Sequence, residues 1–232
     1  MFYGPKIITN GLVLYLDAAN RNSYSGSGTS WFDLSGNSNT GTLTNGPTFS
    51  AANMGSIVFD GTNDYVLISS FNTPPTSTFT FNVWCAFITN TTDRYLMSFG
   101  RDIGLPTGGL ALIAYGFDAV SDVIIFELGS GVGRVSSGLV PTLNTWYNLC
   151  ITADGVNTKF YVNGVLQNTA SQGSGVITST PVLSLGSYVN GSGTPGTYFH
   201  NGYIASCFIY NRALTAAEVL QNYNATKSRF GR

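Results

Sequence analysis

Few residues of this 232-residue chain carry the side chains that catalysis calls for. Its two glutamates, Glu127 and Glu218, stand far apart, and no Glu-x-Asp-x-Glu arrangement sets acids together on one strand face. The close pair of carboxylates that glycoside hydrolysis requires therefore has no support. The one histidine, His200 in TYFHNGY, lies at the entry to a strand with no nucleophile beside it, and reads as a surface or hydrogen-bonded structural residue. Cys85, Cys150 and Cys207 each sit inside an apolar run (NVWCAF, NLCIT, ASCFIY) without Cys-x-x-Cys spacing, so neither a zinc site nor a redox pair is indicated. Three buried free thiols fit synthesis in a reducing cytosol. No Gly-rich phosphate loop joins a strand to a helix.

Oxygen ligands and aromatic rings remain. Asp60, Asn63 and Asp64 in FDGTNDYV fall within five positions and could hold calcium, although their spacing is not that of an EF-hand. The simpler reading is a tight turn in which Asp60 and Gly61 use side-chain to backbone hydrogen bonds. Tyr24, Trp31, Tyr65, Tyr95, Tyr188 and Tyr198 stand near polar loop residues, where a ring can stack on a sugar. Of these, Tyr65, Tyr95 and Tyr198, with Asp64, are the candidates for a glycan site; the competing reading is that such rings pack in a core or across strands.

The elements that would position these residues are strands. Charged residues make up 9% of the chain, where roughly 25% is usual, while 13% are aromatic and glycine numbers 28. That composition excludes a coiled coil, a helical bundle and a charged disordered tail. With a net charge of -1 and no basic cluster, nucleic acid is excluded as a partner. No apolar run reaches about 18 residues, and MFYGPKIITNG lacks a charged segment followed by a long apolar one, so a soluble protein without a secretion signal or membrane span is expected.

Short apolar or alternating runs at 12–18, 55–61, 65–69, 79–89, 94–100, 109–116, 122–128, 146–154, 158–167, 182–188 and 202–214 are separated by Gly, Asn, Ser and Thr. This series, with no helical segments between, predicts two packed antiparallel sheets in one domain. Asn163-Gly164 within KFYVNGVLQ predicts a two-residue type I′ hairpin. Thr215-Ala-Ala-Glu218 reads as a capping box opening one short helix, with Val219, Leu220 and Tyr223 on one side.

In order, GSIVFDGTNDYVLI, FTFNVWCAF, NTWYNLCITADGVNTKFYVNGVLQ and GYIASCFIYNRALTAAEVLQNY resemble the successive strands of concanavalin A-like, laminin G-like jelly-roll domains over residues 11–224. The resemblance implies an all-β, two-sheet antiparallel jelly-roll sandwich with one short C-terminal helix, flanked by an arm at 1–10 and a tail at 225–232. The acidic motif of the family's glucanases is absent, and the paired metal ligands of its legume lectins cannot be matched residue by residue. A binding or structural role without catalysis is what it implies.

The opening NGLVLYLDAANRNSY, the segment WFDLSGNSNTGTLTNGPTF and the ending QNYNATKSRFGR further resemble stand-alone domains among structural proteins of tailed bacteriophages. That narrower resemblance implies a virion surface protein made in the host cytoplasm, such as a capsid decoration, fibre or tail-associated protein. Its partners would be other virion proteins or further copies of itself, docked through Met1, Phe2, Tyr3, Lys227, Arg229 and Arg232. The alternative expectation is a lectin-like module, with or without calcium, that binds a cell-surface glycan.

Overall fold

The computed structural model describes residues 4–89, 94–100, 110–115, 123–128, 134–172, 182–190 and 193–232. In chain order its strands are β1 (Leu12–Asp17), β2 (Ser30–Trp31), β3 (Gly41–Thr44), β4 (Thr48–Ser50), β5 (Ser56–Asp60), β6 (Tyr65–Ile68), β7 (Thr78–Phe87) and β8 (Arg94–Gly100). Then follow β9 (Leu110–Tyr115), β10 (Ile124–Leu128), β11 (Val135–Ser136), β12 (Tyr147–Asp154), β13 (Asn157–Val162), β14 (Val165–Ser171), β15 (Leu183–Leu185) and β16 (Asn201–Tyr210). Helix α1 (Ala216–Thr226) and a 3-10 turn (Lys227–Phe230) close the chain.

The strands form the expected antiparallel sandwich. Sheet A runs β14-β13-β12-β7-β16-β5-β4, with β1 also on β16; sheet B runs β11-β10-β9-β8-β15-β6-β3-β2. Alternation decides which side chains meet between them. Phe79 and Phe81 on β7 stack on each other at 4.6 Å, and Phe81 reaches Phe99 on β8 at 5.7 Å and Phe126 on β10 at 6.2 Å. Aromatic contacts thus carry the core from one sheet to the other.

Every expected run within the described residues contains a strand, but β2, β3, β4 and β11 lie outside the expected runs. They hold only two to four residues each, too few to display a period. At the Asn163-Gly164 hairpin both residues adopt positive φ (51° and 77°), as a type I′ turn demands.

Sheet A is covered on its outer face too. The capping box forms: the Thr215 hydroxyl accepts from the Glu218 N–H at 3.3 Å, and a Glu218 carboxylate oxygen accepts from the Thr215 N–H at 2.8 Å. Arg212 adds two bonds to the same carboxylate, at 2.6 and 2.9 Å. Val219 of α1 packs with Cys150, Tyr161, Phe208 and Tyr210. Residues 4–10 run alongside; the Ile8 N–H donates to Asn222 Oδ1 at 2.8 Å, and the Tyr210 hydroxyl donates to the Ile8 carbonyl at 2.9 Å. In the 3-10 turn, Phe230 stacks on Trp84 at 3.9 Å, while Trp84 Nε1–H donates to the Thr226 hydroxyl at 2.8 Å. The segments expected as a docking arm and tail therefore lie, where described, on the body of the domain. Met1, Phe2 and Tyr3 fall outside the described residues.

All three cysteines are buried and unpaired. Burial pushes the Cys150 and Cys207 thiols up to about 12 and raises Cys85 as well, which keeps them protonated and unreactive.

Gly202 on β16 has no room for a side chain, because a Cβ there would overlap the Ala86 carbonyl oxygen and stand 2.7 Å from His200 Nε2. Gly202→Ala is expected to cost about 2 kcal/mol or more, read by urea unfolding; a change below about 0.5 kcal/mol would contradict the crowding argument. Glu218 supplies a pH-dependent counterpart. Hydrogen bonds from Arg212 hold its carboxyl down at about 2, against 4.5 for a free glutamate. A depressed carboxyl stabilises above its unfolded value and loses that contribution as pH falls toward the folded one. Glu218→Gln should thus lower the melting temperature at pH 7, and the gap to the parent should close as pH drops from 4.5 to about 2.

Candidate functional site

The groups tested first for chemistry are each occupied structurally. Glu127 lies on the outer face of sheet B, where Arg134 donates to its Oε2 through Nε at 3.2 Å and Nη2 at 2.8 Å. Glu218, in the capping box, belongs to the opposite outer face, so the two glutamates do not converge. His200 is not a surface residue: it is 1% exposed, wedged between Phe59 (5.9 Å) and Phe87 (5.3 Å) just before β16. Burial, assisted by the nearby Arg94 charge, pushes its imidazole down to about 3.

Aromatic residues do converge, at one end of sheet B. A bulge between Tyr95 and Met97 lets β8 turn Tyr95 outward, away from the core that holds Leu96 and Met97. The Tyr95 N–H donates to the Tyr198 carbonyl at 2.9 Å. Ring centroids lie 5.2 Å apart for Tyr95 and Tyr198, 5.4 Å for Tyr95 and Tyr188, and 6.4 Å for Tyr188 and Tyr198. Ile125 on β10 and Val123 back this cluster from the same face. Tyr95 is 4% exposed, whereas Tyr198, held at φ 60°, is 46% exposed and presents its ring to solvent. The result is a rigid aromatic platform with one open ring.

The turn between β5 and β6 abuts this platform. Arg94 Nη1 donates to the Gly61 carbonyl at 2.9 Å and to the Phe199 carbonyl at 2.8 Å, tying the turn to the segment that carries Tyr198. Asp60 Oδ1 accepts from the Thr62 and Asn63 N–H groups at 2.7 and 3.4 Å, and Asp64 Oδ2 accepts from the Asp60 N–H at 3.0 Å. These are the bonds of the tight-turn reading. Asp64 is only 4% exposed, and burial foremost, together with the Asp60 charge, raises its pKa. No group of three or more His, Cys, Asp or Glu with ligand geometry occurs among the described residues.

Of the six aromatic candidates, Tyr95, Tyr188 and Tyr198 are brought together. Tyr65 starts β6 at the same end of sheet B, since Leu185 pairs with both Val66 and Met97, and it is half-buried. Tyr24 and Trp31 instead belong to the core, 2% and 0% exposed, with the Tyr24 hydroxyl donating to the Gly28 carbonyl at 2.7 Å. Arg94 and Ile125 escaped the sequence reading, although the alternation in VIIFEL does place Ile125 on the face of Glu127. The cations expected to dock are engaged within the chain. Arg229 pairs with Asp17 at 2.6 Å, Arg232 donates to the Trp146 carbonyl at 3.0 Å, and Lys227 stands 5.4 Å over the Tyr223 ring.

Compared with known proteins, residues 60–220 match the sequence profile of the concanavalin A-like lectin/glucanases superfamily. No curated protein matches the chain. Among solved structures, domain 4 of AbnA, a GH43 extracellular arabinanase from Geobacillus stearothermophilus in complex with arabinotriose, is similar with a TM-score of 0.68 and 19% identity, covering 91% of this chain and 98% of that one. The binding domain of botulinum neurotoxin DC in complex with SialylT gives 0.67 at 13% identity, covering 94% and 52%. Trypanosoma rangeli sialidase gives 0.64 at 15% identity, covering 96% of this chain and 34% of that one. The chain thus spans about half of the toxin binding domain and a third of the sialidase, and at these identities the likeness is one of fold.

His200 offers a direct check on how dry this end of the sandwich is. With a folded value near 3 against 6.5 for free histidine, the unfolded chain takes up the proton first, so stability should decline as pH falls from 6.5 toward 3. The His200 imidazole resonances should stay fixed between pH 8 and pH 5; titration near 6.5 would place the ring in water.

Proposed function

This chain belongs to the concanavalin A-like lectin/glucanases superfamily, and from that premise we propose that it is a lectin-like carbohydrate-binding module. The observation that carries the proposal is the open Tyr198 ring, braced by Tyr95 and Tyr188 and bordered by the polar 60–64 turn. An aromatic face beside hydroxyl and amide groups suits a sugar, whose C–H face stacks while its hydroxyls hydrogen-bond. Exposed Thr62 and Asn63 are the polar groups nearest to hand on that turn, because Asp64 is buried in holding it. Support also comes from the similar folds solved with arabinotriose and SialylT bound.

Attachment to a virion, the finer role implied by the opening and closing segments, is supported by that sequence resemblance alone. None of the similar structures named above is a virion protein. The two roles are compatible, since a single glycan site of about millimolar affinity, near -4 kcal/mol, gains useful avidity from many copies on one particle.

The test is a glycan array probed with multimerised protein, with and without calcium chelation. Binding to a defined glycan class is expected, and Tyr198→Ala should weaken it by about fivefold or more by removing the stacking face. Indifference of binding to Tyr198→Ala, or failure of the multimer to bind any glycan, would overturn the assignment. Loss on chelation that Asp60→Asn reproduces would assign calcium to the Asp60–Asp64 turn.

A further inference from the structure

A groove of about 550 Å³ opens on the outer face of sheet A, on the far side of the sandwich from the tyrosine platform. Its floor is β1 and β16, which place Tyr15 and Asp17 beside Phe208 and Ser206 in register. One wall is residues 5–9 and the other is the C-terminal turn. Its volume lies inside the range of about 300–1,000 Å³ usual for small-molecule sites.

The lining is rigid and apolar at its base. Tyr15 stacks on Phe208 at 4.6 Å and 19°, and Phe230 is fixed by its stack on Trp84. Two polar groups have been left without partners. Ser206 lines the groove, and its hydroxyl takes part in no side-chain hydrogen bond among the described residues. Lys6 at the rim has no ion pair among them either. Asp17, the one acidic lining residue, is already satisfied: it accepts from Arg229 at 2.6 Å, from the Ala19 N–H at 3.0 Å and, at 3.4 Å, from the Tyr15 hydroxyl. With Asp17 offset by Arg229, the net charge facing the groove is the positive charge of Lys6. Free donors and excess positive charge above an aromatic base select an anion with an apolar body.

We propose that this groove binds a small apolar carboxylate, its body against Tyr15 and Phe230 and its carboxylate accepting from Lys6 and the Ser206 hydroxyl. The site is separate from the glycan site and does not depend on it.

The test uses 3-phenylpropionate and its neutral amide as probes, titrated into the full chain and followed by saturation-transfer NMR. The acid should bind more tightly than the amide, with an advantage that shrinks as salt rises. Lys6→Gln, at an exposed position, should weaken the acid by about threefold to fivefold and leave the amide unchanged. Ser228→Trp, also at an exposed position, should fill the groove and remove both, while Tyr198→Ala should affect neither. No binding of the acid at millimolar concentration would overturn the proposal. So would equal binding of acid and amide, indifference to Lys6→Gln, or retention by a folded Ser228→Trp variant.

Discussion

Strand β7 has to be buried on both faces, and much of the remaining architecture answers that demand. Of the ten residues in TFTFNVWCAF, nine are buried. Phe79, Phe81, Val83 and Cys85 point into the sandwich, so the outward set Thr80, Asn82, Trp84 and Ala86 would be left on the surface of a bare sheet. The three larger outward residues each meet a specific answer. The Thr80 hydroxyl donates to the Arg212 carbonyl at 2.9 Å and accepts from the Leu214 N–H at 2.8 Å. Asn82 and Asn148 exchange amide hydrogen bonds at 2.8 and 3.3 Å, and Trp84 receives Phe230. A buried polar group left unsatisfied costs about 1–3 kcal/mol, so the cover must be shaped to these side chains and cannot be merely apolar.

That requirement explains why the ends of the described chain are ordered. Helix α1 and the turn after it lie against the outer face of sheet A, with residues 4–10 packed beside them. With charged residues at 9% of the sequence, two of the ion pairs among the described residues sit where the covering segments meet the body: Arg212–Glu218 at the start of α1, Arg229–Asp17 between the C-terminal turn and β1. Surface pairs of this kind contribute about 0–1 kcal/mol each. Their value lies in direction, because Arg229 also donates to the Met54 carbonyl at 2.6 Å and so fixes where the turn can rest.

What the sequence disclosed follows from which signals are local. The Asn163-Gly164 turn and the Thr215 capping box are written within four residues or fewer, and both form. The long strands carry enough apolar residues to be legible, although β14, exposed along nearly its whole length, continues past the expected end because its pairing with β13 is set by the hairpin and not by burial. Side-chain destinations were harder to read. Tyr24 and Trp31 looked no different from Tyr188 and Tyr198, since Gly- and Ser-rich segments have no period from which to infer a facing direction. The C-terminal arginines were visible as charges, but the partner of Arg229 is Asp17, 212 positions away. The platform likewise required a bulge in β8 and a positive φ at Tyr198, neither of which has a composition signal.

The two faces of the sandwich thus come to hold different things for one reason. Sheet A is closed by terminal segments that its central strand needs, and the seam between those segments and β1 leaves the groove near Arg229. Sheet B offers its end to the tyrosine platform, which is built from β8, β10 and the segment before β16 and uses nothing from either end of the described chain. Arg232, bonded to the Trp146 carbonyl, lies on the sheet A side. The open Tyr198 ring and the groove therefore lie on opposite outer faces of the sandwich.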